Sequence, residues 1–86
     1  MKITDIVHAD TGKTRTDGSY PKRIGSIVEF FTEPSVGAPM MLLFPDPTGR
    51  SVGRGCFTDE VQNIIETDTV IAVYTLNSVY YFEKGD

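Results

Sequence analysis

The apolar positions in the last third of the chain fall into two arms separated by two residues. Residues 70–75 (VIAVYT) and 78–83 (SVYYFE) consist mainly of β-branched and aromatic residues, which suit the pleated, half-buried surface of a strand. This pattern predicts a β-hairpin that turns at Leu76 and Asn77. The hairpin is the firmest structural prediction that the sequence supports.

The length of the turn decides which side chains face the core, because side chains alternate between the two faces of a strand. With a two-residue turn, Tyr74 and Tyr81 lie on the face opposite the core. A three-residue loop with a bulge would exchange the two faces. We assign the core to the more continuously apolar set, which is Ile71, Val73, Tyr80 and Phe82.

Three earlier apolar segments also have the length of strands. The run MMLLF at residues 40–44 is continuously apolar, which is typical of a strand buried on both faces. The polar segments between the apolar runs contain Gly or Pro and are predicted to be exposed connections. The predicted strands are residues 3–7, 24–31 and 40–44, and the predicted connections are residues 9–23, 33–39 and 45–55.

Residues 58–66 permit two interpretations. Thr58 is a suitable helix cap, and Val61, Ile64 and Ile65 recur at helical spacing. Alternatively, one turn of helix leads into a strand at residues 62–66. We favour the second interpretation, in which this strand and the hairpin form a three-stranded meander.

These elements predict a mainly all-β fold. Five or six short strands, with at most one short helix near residues 58–65, suit a small single-domain antiparallel β-barrel or a strongly curved sheet. The expected type is SH3-like or OB-like, because closure of a barrel removes exposed strand edges. A chain of 86 residues has room for one domain (residues 1–86) and one modest core. Self-association is compatible with this small size.

The composition disfavours a disulfide, a metal site and a cofactor. Cys56 and His8 are the single cysteine and the single histidine, so neither an internal disulfide nor a metal-ligand spacing is available. The sequence lacks an apolar run long enough for a signal peptide or a membrane span. We therefore expect a cytoplasmic protein that has no cofactor and makes no membrane contact.

The candidate catalytic motifs are weak, so we predict a protein that is not an enzyme. The letters TGKT at residues 11–14 resemble the end of a phosphate-binding loop, but Val7 stands where that motif requires glycine. Cys56 precedes Phe57 and is predicted to pack in the core. A nuclease that uses His8 with Arg15 or Lys13 is the remaining enzymatic alternative.

Charge is distributed unevenly along the chain. Residues 1–54 carry seven Lys or Arg and six Asp or Glu, whereas residues 55–86 carry one and six. Most of the basic residues fall in the two long predicted loops, where they would form a patch for nucleic acid, with a tyrosine that stacks on a base. The residues of this alternative are Lys13, Arg15, Tyr20, Lys22, Arg23, Arg50 and Arg54.

A protein partner is the favoured prediction, because the net charge of −4 opposes binding to nucleic acid. Exposed aromatic and acidic side chains suit a small adaptor that docks on a larger protein. The predicted function is therefore a non-enzymatic module for protein–protein interaction. The predicted contact residues are Tyr74, Tyr81, Asp59 and Glu60.

Overall fold

Six antiparallel strands form one curled sheet. The structure is a computed structural model that describes residues 1–45 and 54–85, and of Arg54 it describes the backbone only. The sheet is a half-barrel with the strand order β1-β6-β5-β4-β3-β2. This architecture confirms the prediction of a mainly β, strongly curved antiparallel sheet. The elements are β1 (Lys2–His8), α1 (Tyr20–Arg23), β2 (Glu29–Phe30), β3 (Pro39–Phe44), β4 (Arg54–Glu66), β5 (Val70–Thr75) and β6 (Ser78–Glu83).

Backbone hydrogen bonds bridge the two ends of the curled sheet. The residues between α1 and β2 bond to the start of β1: Gly25 N donates to Ile3 O at 2.7 Å, and Ile3 N donates to Ser26 O at 3.0 Å. Val28 N donates to Met1 O at 2.8 Å. These bonds satisfy the outer edge of β1, which would otherwise expose unpaired backbone groups.

The core lies on the inner face of the sheet, where side chains of all the longer strands converge. Phe82 is fully buried and packs edge-on against Phe30, with ring centroids 5.2 Å apart. Its ring is also stacked with that of Tyr80 at 6.2 Å. The buried cluster consists of Ile3, Ile6, Val28, Met40, Leu42, Val61, Val73, Tyr80 and Phe82.

The C-terminal hairpin has the predicted register. Val73 pairs with Tyr80 and Ile71 with Phe82, so the two-residue turn at residues 76–77 is confirmed. The side chains of Val73, Tyr80 and Phe82 are buried, and Ile71 packs partly buried against the core cluster. The predicted core face of this hairpin is therefore confirmed.

The favoured strand at residues 62–66 is confirmed, but the helical turn before it is wrong, because β4 runs as one strand through residues 58–65. A bulge explains the misleading pattern: Val61 pairs with Thr75 but Asn63 pairs with Tyr74, so β4 has an extra residue between them. Val61 and Ile64 consequently face the core although they are three positions apart. The bulge therefore gives the apolar residues of this strand a spacing that resembles that of a helix.

The short helix of the described residues is α1, which lies in the predicted loop 9–23. Pro21 occupies its first turn, where the fixed φ of proline favours helix and its missing N–H is not needed. No helix in residues 1–45 or 54–85 is long and apolar enough to cross a membrane.

The predicted strand at residues 24–31 is shorter than expected. Its ladder contains only Glu29–Phe30, and Gly25, at φ 91°, lies between it and α1.

The apolar run at residues 40–44 is buried on one face only. Met40 and Leu42 lie in the core, whereas Met41 and Leu43 are half-exposed on the outer face. Cys56, which was predicted to pack in the core, is half-buried opposite the core residue Leu42, whereas its neighbour Phe57 is 70% exposed. A single curled sheet encloses one core, so a strand that is apolar on both faces exposes one of them.

Candidate functional site

Four apolar side chains form a continuous patch on the outer face of β2, β3 and β4. Met41 pairs with Phe57 across β3 and β4. Phe31 donates its backbone N–H to Met41 O at 3.1 Å, which places Phe31 beside Met41 on the other side. Leu43 lies two residues along β3 and therefore on the same face. We call Phe31, Met41, Leu43 and Phe57 the apolar outer patch.

The two phenylalanine side chains of the apolar outer patch are largely in solvent. Phe31 is 61% exposed and Phe57 is 70% exposed, and Met41 between them is half-buried. Gly55 helps to shape the patch, because Met41 Cε lies 2.6 Å from the place where a Cβ of residue 55 would stand. A side chain at Gly55 would push Met41 away from β4.

The border of the apolar outer patch is acidic. Glu29 pairs with Leu43 across β2 and β3, so its side chain shares this face of the sheet. Glu33 follows Phe31 by two residues and is exposed. Two acidic residues thus lie at the β2 side of the patch, Glu29 on its face and Glu33 two residues beyond Phe31.

The tyrosines predicted to bind a protein lie together on another part of the outer face. Tyr74 pairs with Val79, and Tyr81 pairs with Ala72. Val79 and Ala72 are buried although they face outward, and both tyrosines are half-buried. Burial and the neighbouring Tyr74 raise the pKa of the Tyr81 phenol. Tyr74 and Tyr81 therefore help to cover a small second apolar layer, so only part of each ring is accessible to a partner.

The two predicted acidic contact residues lie in the middle of β4, beside the turn of the C-terminal hairpin. Asp59 accepts a hydrogen bond from Asn77 Nδ2 at 2.9 Å, and Glu60 O accepts one from Leu76 N at 3.1 Å. Both acidic side chains are exposed. The Asp59 carboxylate and the Glu60 backbone thus contact the turn of the hairpin, and both side chains leave negative charge at its surface.

The structure gives the predicted nucleic-acid residues different environments. Arg15 is only 11% exposed in its side chain, and its guanidinium donates to Ser78 Oγ, Asp17 Oδ2 and Asn77 O at 2.8 to 2.9 Å. Its cationic carbon also lies 4.5 Å from the centre of the Tyr20 ring. Arg15 therefore ties its loop to the hairpin turn and has few donors left for phosphate.

Two other cations of that set line a pocket beside α1. Lys22 and Arg23 face this cavity of about 410 Å³, and Arg23 lies over the Tyr20 ring at 5.5 Å. We call it the α1 pocket. It is lined by Ser19, Lys22, Arg23, Ser26, Phe44, Gly55 and Cys56.

Lys13 lies elsewhere, in a cleft of about 420 Å³ that it shares with His8. A second cleft of about 290 Å³ contains both His8 and Arg15. The cleft required by the nuclease alternative is therefore present, but Arg15 is already engaged with protein acceptors. His8 Nε2 is 3.8 Å from Asp17 Oδ1.

Two residues of the nucleic-acid set cannot be placed in this way. Arg50 lies outside the described residues, and Arg54 is described only as the backbone partner of Phe44. Within residues 1–45 and 54–85, no three side chains of His, Cys, Asp or Glu come together as a potential metal site.

The apolar outer patch was missed by sequence reasoning, although its signal was present. Residues 24–31 are partly apolar on both faces, and residues 40–44 are continuously apolar, a pattern that predicts burial on both faces. In a chain with one small core, the same pattern indicates an exposed apolar face. Comparison of this chain with protein-family models, curated proteins and solved structures gives no match.

Proposed function

We propose that this protein is a non-enzymatic protein-interaction module that docks through the apolar outer patch. The observation that carries the proposal is the exposure of Phe31 and Phe57, at 61% and 70%, on either side of Met41 on one face of the sheet. Contiguous apolar surface of this kind is typical of an interaction site on a small soluble domain. Aromatic and methionine side chains are also enriched at the centre of interfaces.

The partner is a protein with an apolar contact surface bordered by Lys and Arg. Glu29 shares the face of the patch, the exposed Glu33 follows Phe31 by two residues, and the whole chain has a net charge of −4. A basic border on the partner complements these charges and accelerates association. A second copy of the chain would bring two acidic borders together, which disfavours it as the occupant.

Amide NMR with a defined probe tests this proposal. The probe is a synthetic amphipathic peptide whose apolar face is leucine and whose polar residues are lysine. We expect its binding to shift the resonances of Phe31, Met41, Leu43 and Phe57, and we expect Phe57→Ser to abolish those shifts. A peptide with glutamate in place of lysine should bind more weakly, and Glu29→Lys should reverse this preference.

Ile65→Ser is the matched control, because Ile65 is 49% exposed on the outer face of another part of β4. It should leave binding unchanged. Equal binding of both peptides, or equal loss in Phe57→Ser and Ile65→Ser, would contradict the proposal. Sedimentation of the protein alone completes the test: a dimer that Phe57→Ser dissociates would show that the patch binds a second copy instead.

A further inference from the structure

The α1 pocket has the size and the mixed lining of a small-molecule site. Its volume of about 410 Å³ lies within the usual range of roughly 300–1,000 Å³ for ligand pockets. Its lining includes Lys22 and Arg23 from α1, together with Phe44 at the end of β3 and Cys56 in β4. A ligand in this pocket would therefore meet both two positive charges and apolar surface.

The two cations of the pocket are neighbours in the chain and line the same cavity. Arg15 is paired with Asp17 and Lys84 with Glu66. Within the part of the chain that the structure describes, Lys22 and Arg23 have no carboxylate within ion-pair distance. Two adjacent positive charges repel one another, and a bound anion relieves this repulsion.

The groups that would hold the anion are fixed in place to different degrees. Arg23 lies over the Tyr20 ring at 5.5 Å, which orients its planar guanidinium before a ligand arrives. Ser19 precedes α1 and makes no side-chain capping hydrogen bond, so its hydroxyl is available. The Ser26 hydroxyl is already used, since Oγ donates to Lys22 O at 3.2 Å.

We propose that the α1 pocket binds a nucleoside phosphate, with the phosphate held by Lys22, Arg23 and the Ser19 hydroxyl and the base against Phe44. Arginine and lysine together favour a phosphate, because guanidinium forms paired hydrogen bonds and ammonium adds a point charge. The apolar wall at Phe44 favours a ligand with a flat ring over a simple inorganic anion. The phosphate comes from a free nucleotide or from one residue of a single strand, and the experiment distinguishes these sources.

Titration calorimetry and amide NMR with four probes test this inference: AMP, adenosine, inorganic phosphate and a short oligothymidylate. We expect AMP to bind more tightly than adenosine or phosphate and to shift the resonances of residues 19–26, Phe44 and Cys56. Lys22→Glu should weaken AMP binding at least about tenfold, because it replaces an attraction by a repulsion. Tighter binding of the oligonucleotide than of AMP would identify a strand as the source, and the reverse order would identify a free nucleotide.

Lys13→Glu is the charge-matched control, because Lys13 is an exposed cation that lines a different cleft. It should leave AMP binding unchanged, and both variants should keep the dispersed amide spectrum of the folded protein. Arg23→Lys, which keeps the charge but loses the guanidinium, should weaken binding to an intermediate degree.

Three results would overturn the assignment. These are absence of AMP binding at millimolar concentration, equal losses in Lys22→Glu and Lys13→Glu, and equal affinity for AMP and inorganic phosphate. The inference is independent of the proposed protein interaction, since the apolar outer patch and the α1 pocket share no residue. Phe57→Ser should therefore leave AMP binding unchanged.

Discussion

Arg15 Nε donates a hydrogen bond to Ser78 Oγ at 2.8 Å, across 63 positions of the chain. Ser78 is 1% exposed, and the Arg15 side chain also bonds Asn77 O at 2.8 Å. A backbone hydrogen bond also holds Arg15 in place, since Arg15 N donates to Ile6 O in β1 at 2.8 Å. The Arg15 side chain thus connects the polar segment after β1 to the turn of the C-terminal hairpin.

Arg15→Ala should lower the free energy of unfolding by about 2 kcal/mol, because it removes several hydrogen bonds at a largely buried site and leaves Ser78 Oγ with one partner fewer. Urea unfolding followed by circular dichroism measures the loss. Lys13→Ala, two residues away and exposed, should change the midpoint by less than about 0.5 kcal/mol. Equal midpoints for the two variants would show that Arg15 is not a structural residue.

Thr75→Val should destabilise the protein although valine has nearly the same shape and is more apolar. Thr75 is 3% exposed, and its Oγ1 donates to Ser78 O at 3.0 Å and accepts from Ser78 N at 3.1 Å. Valine leaves both backbone groups without these partners, at a cost of about 1 to 3 kcal/mol. The exposed Thr32→Val is the control in the same urea experiment, and a stabilised Thr75→Val variant would refute the argument.

Two phenylalanines of opposite exposure should respond differently to truncation. Phe82 is 0% exposed and contacts the rings of Phe30 and Tyr80, so Phe82→Ala should cost about 3 to 5 kcal/mol. Phe57 is 70% exposed, and Phe57→Ala should change stability by no more than about 0.5 kcal/mol. Thermal unfolding of both variants checks the pair, and a large loss in Phe57→Ala would mean that the apolar outer patch is part of the core.

Alkaline pH should destabilise the protein through Tyr80. Burial, together with the neighbouring Tyr20, raises the pKa of the Tyr80 phenol far above its ordinary value of 10.0. Above about pH 10 the unfolded chain releases this proton and the folded chain keeps it, so the free energy of unfolding falls as the pH rises. Below about pH 10 the contribution is fully present.

Tyr80→Phe isolates this effect from the other groups that titrate in the same range. Urea midpoints measured at about pH 9 and about pH 11 should fall less in Tyr80→Phe than in the unaltered protein. An identical fall in both proteins would show that Tyr80 ionises in the folded state as readily as in the unfolded chain.

Local patterns predicted the C-terminal hairpin well because its register depends on neighbouring residues. The alternation of residues 70–75 and 78–83 and the two-residue turn between them determine which side chains pair. The long polar connection and the mainly β class followed from the same kind of local signal. The start of β4 did not, because a bulge between Val61 and Asn63 changed the spacing of the apolar residues. The helix at Tyr20–Arg23 lies in a polar segment without an apolar period that would indicate it.

The candidate sites depended on contacts that no local pattern encodes. Phe31 and Phe57 are 26 positions apart in the chain, and they belong to one patch only because β2 and β4 both pair with β3. Lys22 and Phe44 face one cavity for a similar reason, since α1 lies beside the ends of β3 and β4. Arg15 belongs to the nucleic-acid alternative, and only the tertiary structure shows its hydrogen bond to the distant Ser78.

The sequence by itself determined the β class, the single small core and the faces of the final hairpin, since these follow from composition and from the two-residue period of a strand. The tertiary structure decided which apolar face stays exposed and which cations line one cavity. Both properties arise from pairing between distant segments, whose register is set by the closure of the whole sheet around one core.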